Sequence, residues 1–131
     1  MSGLFRRLFA PRWQHPDPGV RRQAIERLDP SREDQRRALE RLAADVDPAV
    51  RTAALARLED PEGLIALLDD EARSPELERR LAALICGKEG QLELSARVAM
   101  VGRLEDAALL ETIAFEGDNQ QLRLAAIERL Q

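Results

Sequence analysis

The strongest constraint on the fold is a twelve-residue phrase that the chain repeats. Asp47 to Leu58 reads Asp-Pro-Ala-Val-Arg-Thr-Ala-Ala-Leu-Ala-Arg-Leu, Asp17 to Leu28 reads Asp-Pro-Gly-Val-Arg-Arg-Gln-Ala-Ile-Glu-Arg-Leu, and Asn119 to Leu130 reads Asn-Gln-Gln-Leu-Arg-Leu-Ala-Ala-Ile-Glu-Arg-Leu. A weaker copy starts at Ser74. Each copy opens on a short polar side chain that can accept hydrogen bonds from the first turn of a helix. In Asp17-Pro18, Asp47-Pro48 and Ser74-Pro75 a proline follows, at the helical position that tolerates it best. The first apolar residue always lies three positions after the cap, at Val20, Val50, Leu77 and Leu122. One helical unit recurring every 25 to 30 residues predicts an array of stacked helices.

On a wheel of about 100° per residue, Val50, Ala54, Leu55 and Leu58 share one arc with Ala53 at its edge, and Arg51 falls inside it. Arg21 stands the same way among Val20, Ala24, Ile25 and Leu28, and Arg123 among Leu122, Ala126, Ile127 and Leu130. A charge on a packed face is costly unless paired. The expectation is a structural ladder through Asp17, Arg21, Asp47, Arg51 and Arg123, with Arg21 and Arg51 reaching toward the cap carboxylates Asp47 or Asp17. In the Ser74 copy Glu78 replaces the arginine and Leu81 the small alanine, so a ladder should break or reverse there.

Shorter apolar stretches lie between the copies. Ser31 to Ala44 offers Ser31 as a cap and Ala38, Leu39, Leu42 and Ala43 as a face; Asp60-Pro61 opens a helix over 62–71, and Glu105-Asp106 opens another over 107–116, closed by Gly117. Gly87-Lys88-Glu89-Gly90 breaks the chain before a helix containing Leu92, Leu94, Val98, Val101 and Leu104, which reads as the second helix of the Ser74 unit and leaves pairing between 87 and 116 open. The sum is an all-α fold of about eight helices in antiparallel pairs, preceded by an N-terminal turn.

The phrase Asp-Pro-x-Val-Arg-x-x-Ala at Asp17 and Asp47 resembles the first helix of HEAT-like repeats. The resemblance covers residues 15–131 and implies a right-handed alpha-alpha superhelix, a solenoid whose concave face binds a protein or peptide. The lead Leu8-Phe9-Ala10-Pro11-Arg12-Trp13-Gln14-His15, followed by this array, is similar to the N-terminal part of large bacterial proteins that carry a domain of unknown function further on. That likeness implies a truncated repeat domain continued C-terminally in a larger chain, with the last helix left lacking its partner and one apolar face uncovered.

Residues 1–14 read as a separate amphipathic cap, with Leu4, Phe5, Leu8 and Phe9 on one side and Arg6 and Arg7 on the other. These side chains either cover the apolar end of the first repeat or dock on a membrane surface or nucleic acid. Residues 1–28 hold six arginines against Asp17 and Glu26, which makes that end basic although the whole chain carries a net charge of -4. The scarcity of aromatics, 3%, argues against base stacking and against a base-flipping glycosylase pocket. The acidic residues Glu59, Asp60, Glu62, Asp69, Asp70 and Glu71 wrap the ends of one helix, as a solvated face or as a groove for a basic partner.

Residues able to do chemistry are sparse. His15 is the single histidine and Cys86 the single cysteine, and they form no metal set or catalytic constellation with their sequence neighbours. A lone cysteine and the absence of a membrane-length apolar run point to a cytoplasmic protein. The functional expectation is a non-enzymatic protein-interaction scaffold without cofactor or metal. The alternative is a nucleic-acid-binding module using the basic front end. Candidate partner-binding residues are those that differ between copies, Arg22, Thr52 and Ala56, together with Arg6, Arg7, Arg12 and Trp13 at the front.

Overall fold

Helix starts are set by caps. In a computed structural model, which describes residues 11–69 and 73–131, a 3-10 turn at Arg12–Gln14 precedes α1 (Pro18–Ile25), α2 (Glu33–Leu42), α3 (Pro48–Arg57), α4 (Pro61–Leu68), α5 (Pro75–Cys86), α6 (Leu94–Arg103), α7 (Ala107–Glu116) and α8 (Gln120–Leu130). No strand occurs among the described residues. Asp17, Asp47, Asp60, Ser74, Asp106 and Asn119 each accept a backbone N–H of the helix they open. Ser31 does not cap α2. Its hydroxyl donates to Asp29 at 2.7 Å, and the helix starts at Glu33 after Arg32, which makes no side-chain cap bond. The Ser31 hydroxyl and then its N–H hold the exposed Asp29 carboxyl below the usual carboxylate range. The N-terminal stretch from Leu4 to Phe9, with Arg6 and Arg7, lies outside the described residues.

The chain divides into two compact units, Met1–Leu58 and Glu59–Gln131. In the first unit α1 packs beside α3, α2 packs on α3, and the Arg12–Gln14 turn packs on α1. Two arginine rungs join α1 to α3. At the N-terminal ends, Arg21 donates through Nε and Nη2 to the two carboxylate oxygens of Asp45, both at 2.9 Å, and through Nη1 to the carbonyls of His15 and Pro16. At the C-terminal ends, Arg57 Nη2 donates to the Leu28 carbonyl at 2.6 Å. Ends of the same kind meet, so α1 and α3 run parallel while α2 carries the chain back.

The ladder therefore uses a different acid from the one expected. Arg21 pairs with Asp45, two residues before the cap; that carboxylate also accepts the Asp47 N–H, while Oδ1 of Asp47 accepts from Ala49 and Val50 and Oδ1 of Asp17 from Gly19. Arg51 likewise donates to the carbonyls of Asp45 and Val46 in the loop before its own cap. The guanidinium thus ties down the turn that enters its own helix and, in Arg21, reaches the loop before the neighbouring first-type helix.

The second unit repeats the arrangement with α6 and α8. Arg97, four residues after Glu93, donates to Asp118 Oδ1 at 2.7 Å and to the carbonyls of Leu92 and Ile85, both at 3.2 Å. Arg129 donates to the Leu104 carbonyl through Nη2 at 2.6 Å, as Arg57 does to Leu28. Residues 93–104 are thus a further copy of the phrase, in the register of Asp47 to Leu58, and α6 also packs on the Ser74 helix, as its reading as that unit's second helix expects. The chain runs on through α7 as the returning helix between the parallel α6 and α8.

The Ser74 helix, α5, belongs to the other type. Its N-terminal end meets that of α7 through Arg73 and Asp106, and its C-terminal end meets that of α7 through Lys88 with Glu116 and through the Asp118 N–H on the Cys86 carbonyl. Parallel to α7, it runs antiparallel to α6 and α8. Glu78 consequently has its charge partner reversed: it accepts from Arg73, in the loop before the cap, at 3.0 Å. Gly87 closes α5 in the left-handed region, φ 84°, where a glycine is favoured. A Cβ there would strike the Asp118 carboxylate and come within 2.7 Å of Arg97 Nη1, so the glycine also makes room for the rung.

The core is aliphatic, and the repeated apolar positions contribute to it beside residues of the other helices such as Leu39, Leu64 and Ile113. Val50, Ala54, Leu77, Leu81, Leu122 and Ala126 are all buried. Removing a rung should cost more than removing a surface pair. Arg97→Met strands the Ile85 and Leu92 carbonyls and should lower unfolding free energy by about 2 kcal/mol, measured by urea titration. Most of that loss falls on the carbonyls, because Asp118 is 49% exposed and its ion pair is screened. Arg37→Met breaks an exposed pair with Glu33 at spacing i,i+4 and should change stability by less than about 0.5 kcal/mol.

Candidate functional site

The arc that packs leaves an outer ridge on each first-type helix, at the fifth and ninth residues after the cap. On α1 these are Arg22 and Glu26, on α3 Thr52 and Ala56, and all four are exposed. Because α1 and α3 are parallel neighbours, the two ridges lie side by side in the first unit. The expected residues Arg22, Thr52 and Ala56 therefore share one surface, which is polar and of mixed charge. Arg12 is exposed in the 3-10 turn, whereas Trp13 beside it is half-buried. Arg6 and Arg7 lie outside the described residues.

In the second unit the same ridge positions carry Val98 and Gly102 on α6, and Leu124 and Glu128 on α8. Gly102 faces open space, with nothing within 4 Å of a Cβ built there. The apolar character continues onto the flank of α8. At the eighth residue after the cap, Ile25, Leu55 and Val101 are covered, but Ile127 is 40% exposed; at the eleventh, Leu58 and Leu104 are covered, but Leu130 is 38% exposed. Leu124 is 49% exposed, and Phe115 of α7 is 89% exposed. The uncovered apolar face expected at the last helix is thus present on Leu124, Ile127 and Leu130. The apolar arc read from the sequence already holds Ile127 and Leu130; Leu124, on the ridge, is found only by aligning α8 on the other copies.

Cationic side chains that recur are largely committed. Arg21, Arg51, Arg97 and Arg123 are all half-buried and each donates to a carbonyl in or beside the loop that leads into its helix. Arg103 pairs with Glu62, and Arg80 with Glu59 and Glu89. The acidic residues at 59 and 62 are accordingly matched by arginines, and Asp60 is spent as a cap. Asp70 and Glu71 lie outside the described residues.

Two hollows open on the second unit. One, about 400 Å³, lies between the parallel helices α5 and α7 and is lined by Ala82, Ala83, Ala108 and Thr112, with Lys88 and Glu116 at one end. The other, about 380 Å³, is lined by Ile65, Leu68, Leu104 and the ion-paired Arg73, Arg103 and Asp106. Cys86 also lines the first hollow, beside Lys88 and Glu116. His15 uses Nδ1 to accept the Asp17 N–H at 3.0 Å, a loop role. Cys86 is buried, and that burial pushes its thiol above the ordinary value. Among the described residues no three His, Cys, Asp or Glu side chains come together as a metal site, and no helix is long and apolar enough to cross a membrane.

The chain matches no known family profile, no curated protein and no solved structure. The HEAT-like resemblance is accordingly carried by the recurring residues themselves.

A raised thiol pKa means less thiolate at any given pH, and burial adds a barrier to access. Cys86 in the folded chain should therefore be alkylated by iodoacetamide at pH 8 at least about tenfold more slowly than in urea-unfolded chain; equal rates would contradict the burial.

Proposed function

We propose that the chain is a non-enzymatic, cytoplasmic protein-interaction scaffold, built as a HEAT-like αα superhelix that holds a partner protein on its helix faces. The observation that carries this reading is the apolar surface left open on α7 and α8 by Phe115, Leu124, Ile127 and Leu130. Exposed apolar side chains spaced three apart on one helix, as Leu124, Ile127 and Leu130 are, are of the kind that contacts other proteins. The ridge residues Arg22, Thr52 and Ala56 add a second, polar contact surface, since they vary while the packing positions repeat. The nucleic-acid reading is weaker: Arg21 of the basic front end is spent on Asp45 and on the His15 and Pro16 carbonyls, and an aromatic share of 3% leaves few side chains for base stacking.

Both readings are tested together. Photo-crosslinking side chains placed at Thr52, Ala56 and Ile127 should each give discrete protein adducts in cells that express the chain, while a crosslinker at Glu33, on α2, should not. Generic duplex DNA and single-stranded RNA should show no saturable binding at low salt. Binding that weakens steeply with added salt would instead indicate phosphate contacts and a nucleic-acid role.

A further inference from the structure

The two rungs that join α1 to α3 and α6 to α8 define what a first-type helix offers to the next one. At one end it offers an arginine, four residues after its cap, to a carboxylate just before the neighbour's cap: Arg21 to Asp45, and Arg97 to Asp118. At the other end it offers a carbonyl, eleven residues after its cap, to an arginine ten residues after the neighbour's cap: Leu28 to Arg57, and Leu104 to Arg129. Between these lie the apolar positions that the neighbour covers.

On α8 the whole set stands open. Arg123 donates Nη1 to the Gly117 carbonyl at 2.7 Å and has no carboxylate partner among the described residues. The Leu130 carbonyl occupies the position of Leu28 and Leu104; Ile127 is exposed where Ile25, Leu55 and Val101 are buried, and Leu130 where Leu58 and Leu104 are buried and Leu28 is half-buried. We propose that this face of α8 docks an αα-hairpin of the same rung chemistry from a partner protein, with a carboxylate one or two residues before a helix cap and an arginine ten residues after it. The inference rests on the scaffold reading and names the partner's recognition chemistry.

Charge selects this occupant over a second copy stacked head to tail. The α1 loop that would meet Arg123 carries His15 and Pro16 at the two places before the cap, with the exposed cation Arg12 nearby, and offers no carboxylate. A partner hairpin with an acid there supplies the charge that α1 lacks.

The test titrates the whole isotope-labelled chain with a synthetic peptide of residues 31–58, whose Asp45 and Arg57 stand in the required register. Resonances of Arg123, Leu124, Ile127 and Leu130 should shift and saturate below about 1 mM peptide. Arg123→Gln in the chain, or Asp45→Asn in the peptide, should each weaken binding about tenfold, and the two together little further, because they break one contact. The same hairpin appended after Gln131 keeps the test decisive if the free peptide is too little folded to bind, since tethering raises its effective concentration. There it should cover Ile127 and protect the α8 amides, and Arg123→Gln should reverse that protection.

Absence of α8 shifts with the peptide and of protection in the appended chain, or binding indifferent to both charges, would overturn the inference. So would a concentration-dependent dimer of the chain that Ile127→Asp abolishes, which would assign the face to a second copy. If the hairpin fails but crosslinks from Thr52 and Ala56 persist, the docking inference falls and the scaffold reading stands.

Discussion

An arginine four residues after a helix cap lies too close to the packed arc to leave its guanidinium in water, and the acceptors within reach are the carbonyls of the turn before that cap. Arg21, Arg51 and Arg123 make that bond within their own turns, and Arg97 makes it to Leu92. Five donors on one planar group leave some to spare. Arg21 and Arg97 direct theirs to a carboxylate in the turn before the neighbouring helix. One residue type thereby fixes both the local turn and the parallel alignment of α1 with α3 and of α6 with α8. The cost of desolvating the charge is offset by several directed hydrogen bonds, the condition under which partly buried ions are tolerated.

Caps and the apolar arc were legible in the sequence because they depend on neighbours a few residues away. Asp17, Asp47, Ser74, Asp106 and Asn119 each do what their residue type suggests, and the all-helical class follows from the spacing. Helix roles were less legible, since they depend on which ends meet in space. Residues 94–103 lack a capping side chain and a proline, and Met100 replaces the small alanine, so the copy is hidden although Arg97, Arg103 and Leu104 keep its frame. Ser74-Pro75 imitates a first-type start, yet Glu78 accepts from Arg73, the reverse of the usual charge order. Asp45 carries no cap signal of its own, and its role shows only once α1 and α3 lie side by side, where its carboxylate meets Arg21.

The same division organises the surface. Positions that recur are consumed in stacking: arginine on carbonyl, alanine under a neighbouring helix, leucine in the core. Positions that differ between copies stand on the outer ridge, at Arg22, Thr52, Ala56, Gly102 and Leu124, where packing imposes nothing. The apolar flank of α8 differs in kind, because its residues are the recurring ones without their cover. The crosslinking sites Thr52 and Ala56 sample the ridge, and Ile127 samples the flank, so the two surfaces are separable.

A pair of interspin distances tests directly whether α6 is a first-type helix that runs parallel to α8. Spin labels at the exposed residues Ser95 and Gln121 lie near the N-terminal ends of α6 and α8, and a label at Glu128 lies near the C-terminal end of α8. With parallel helices the Ser95–Gln121 distance is the shorter, and Ser95–Glu128 exceeds it by several ångströms, up to about 10 Å for seven residues of helix at about 1.5 Å each. The opposite order would place α6 antiparallel to α8, and the rungs through Arg97 and Arg129 could not both exist.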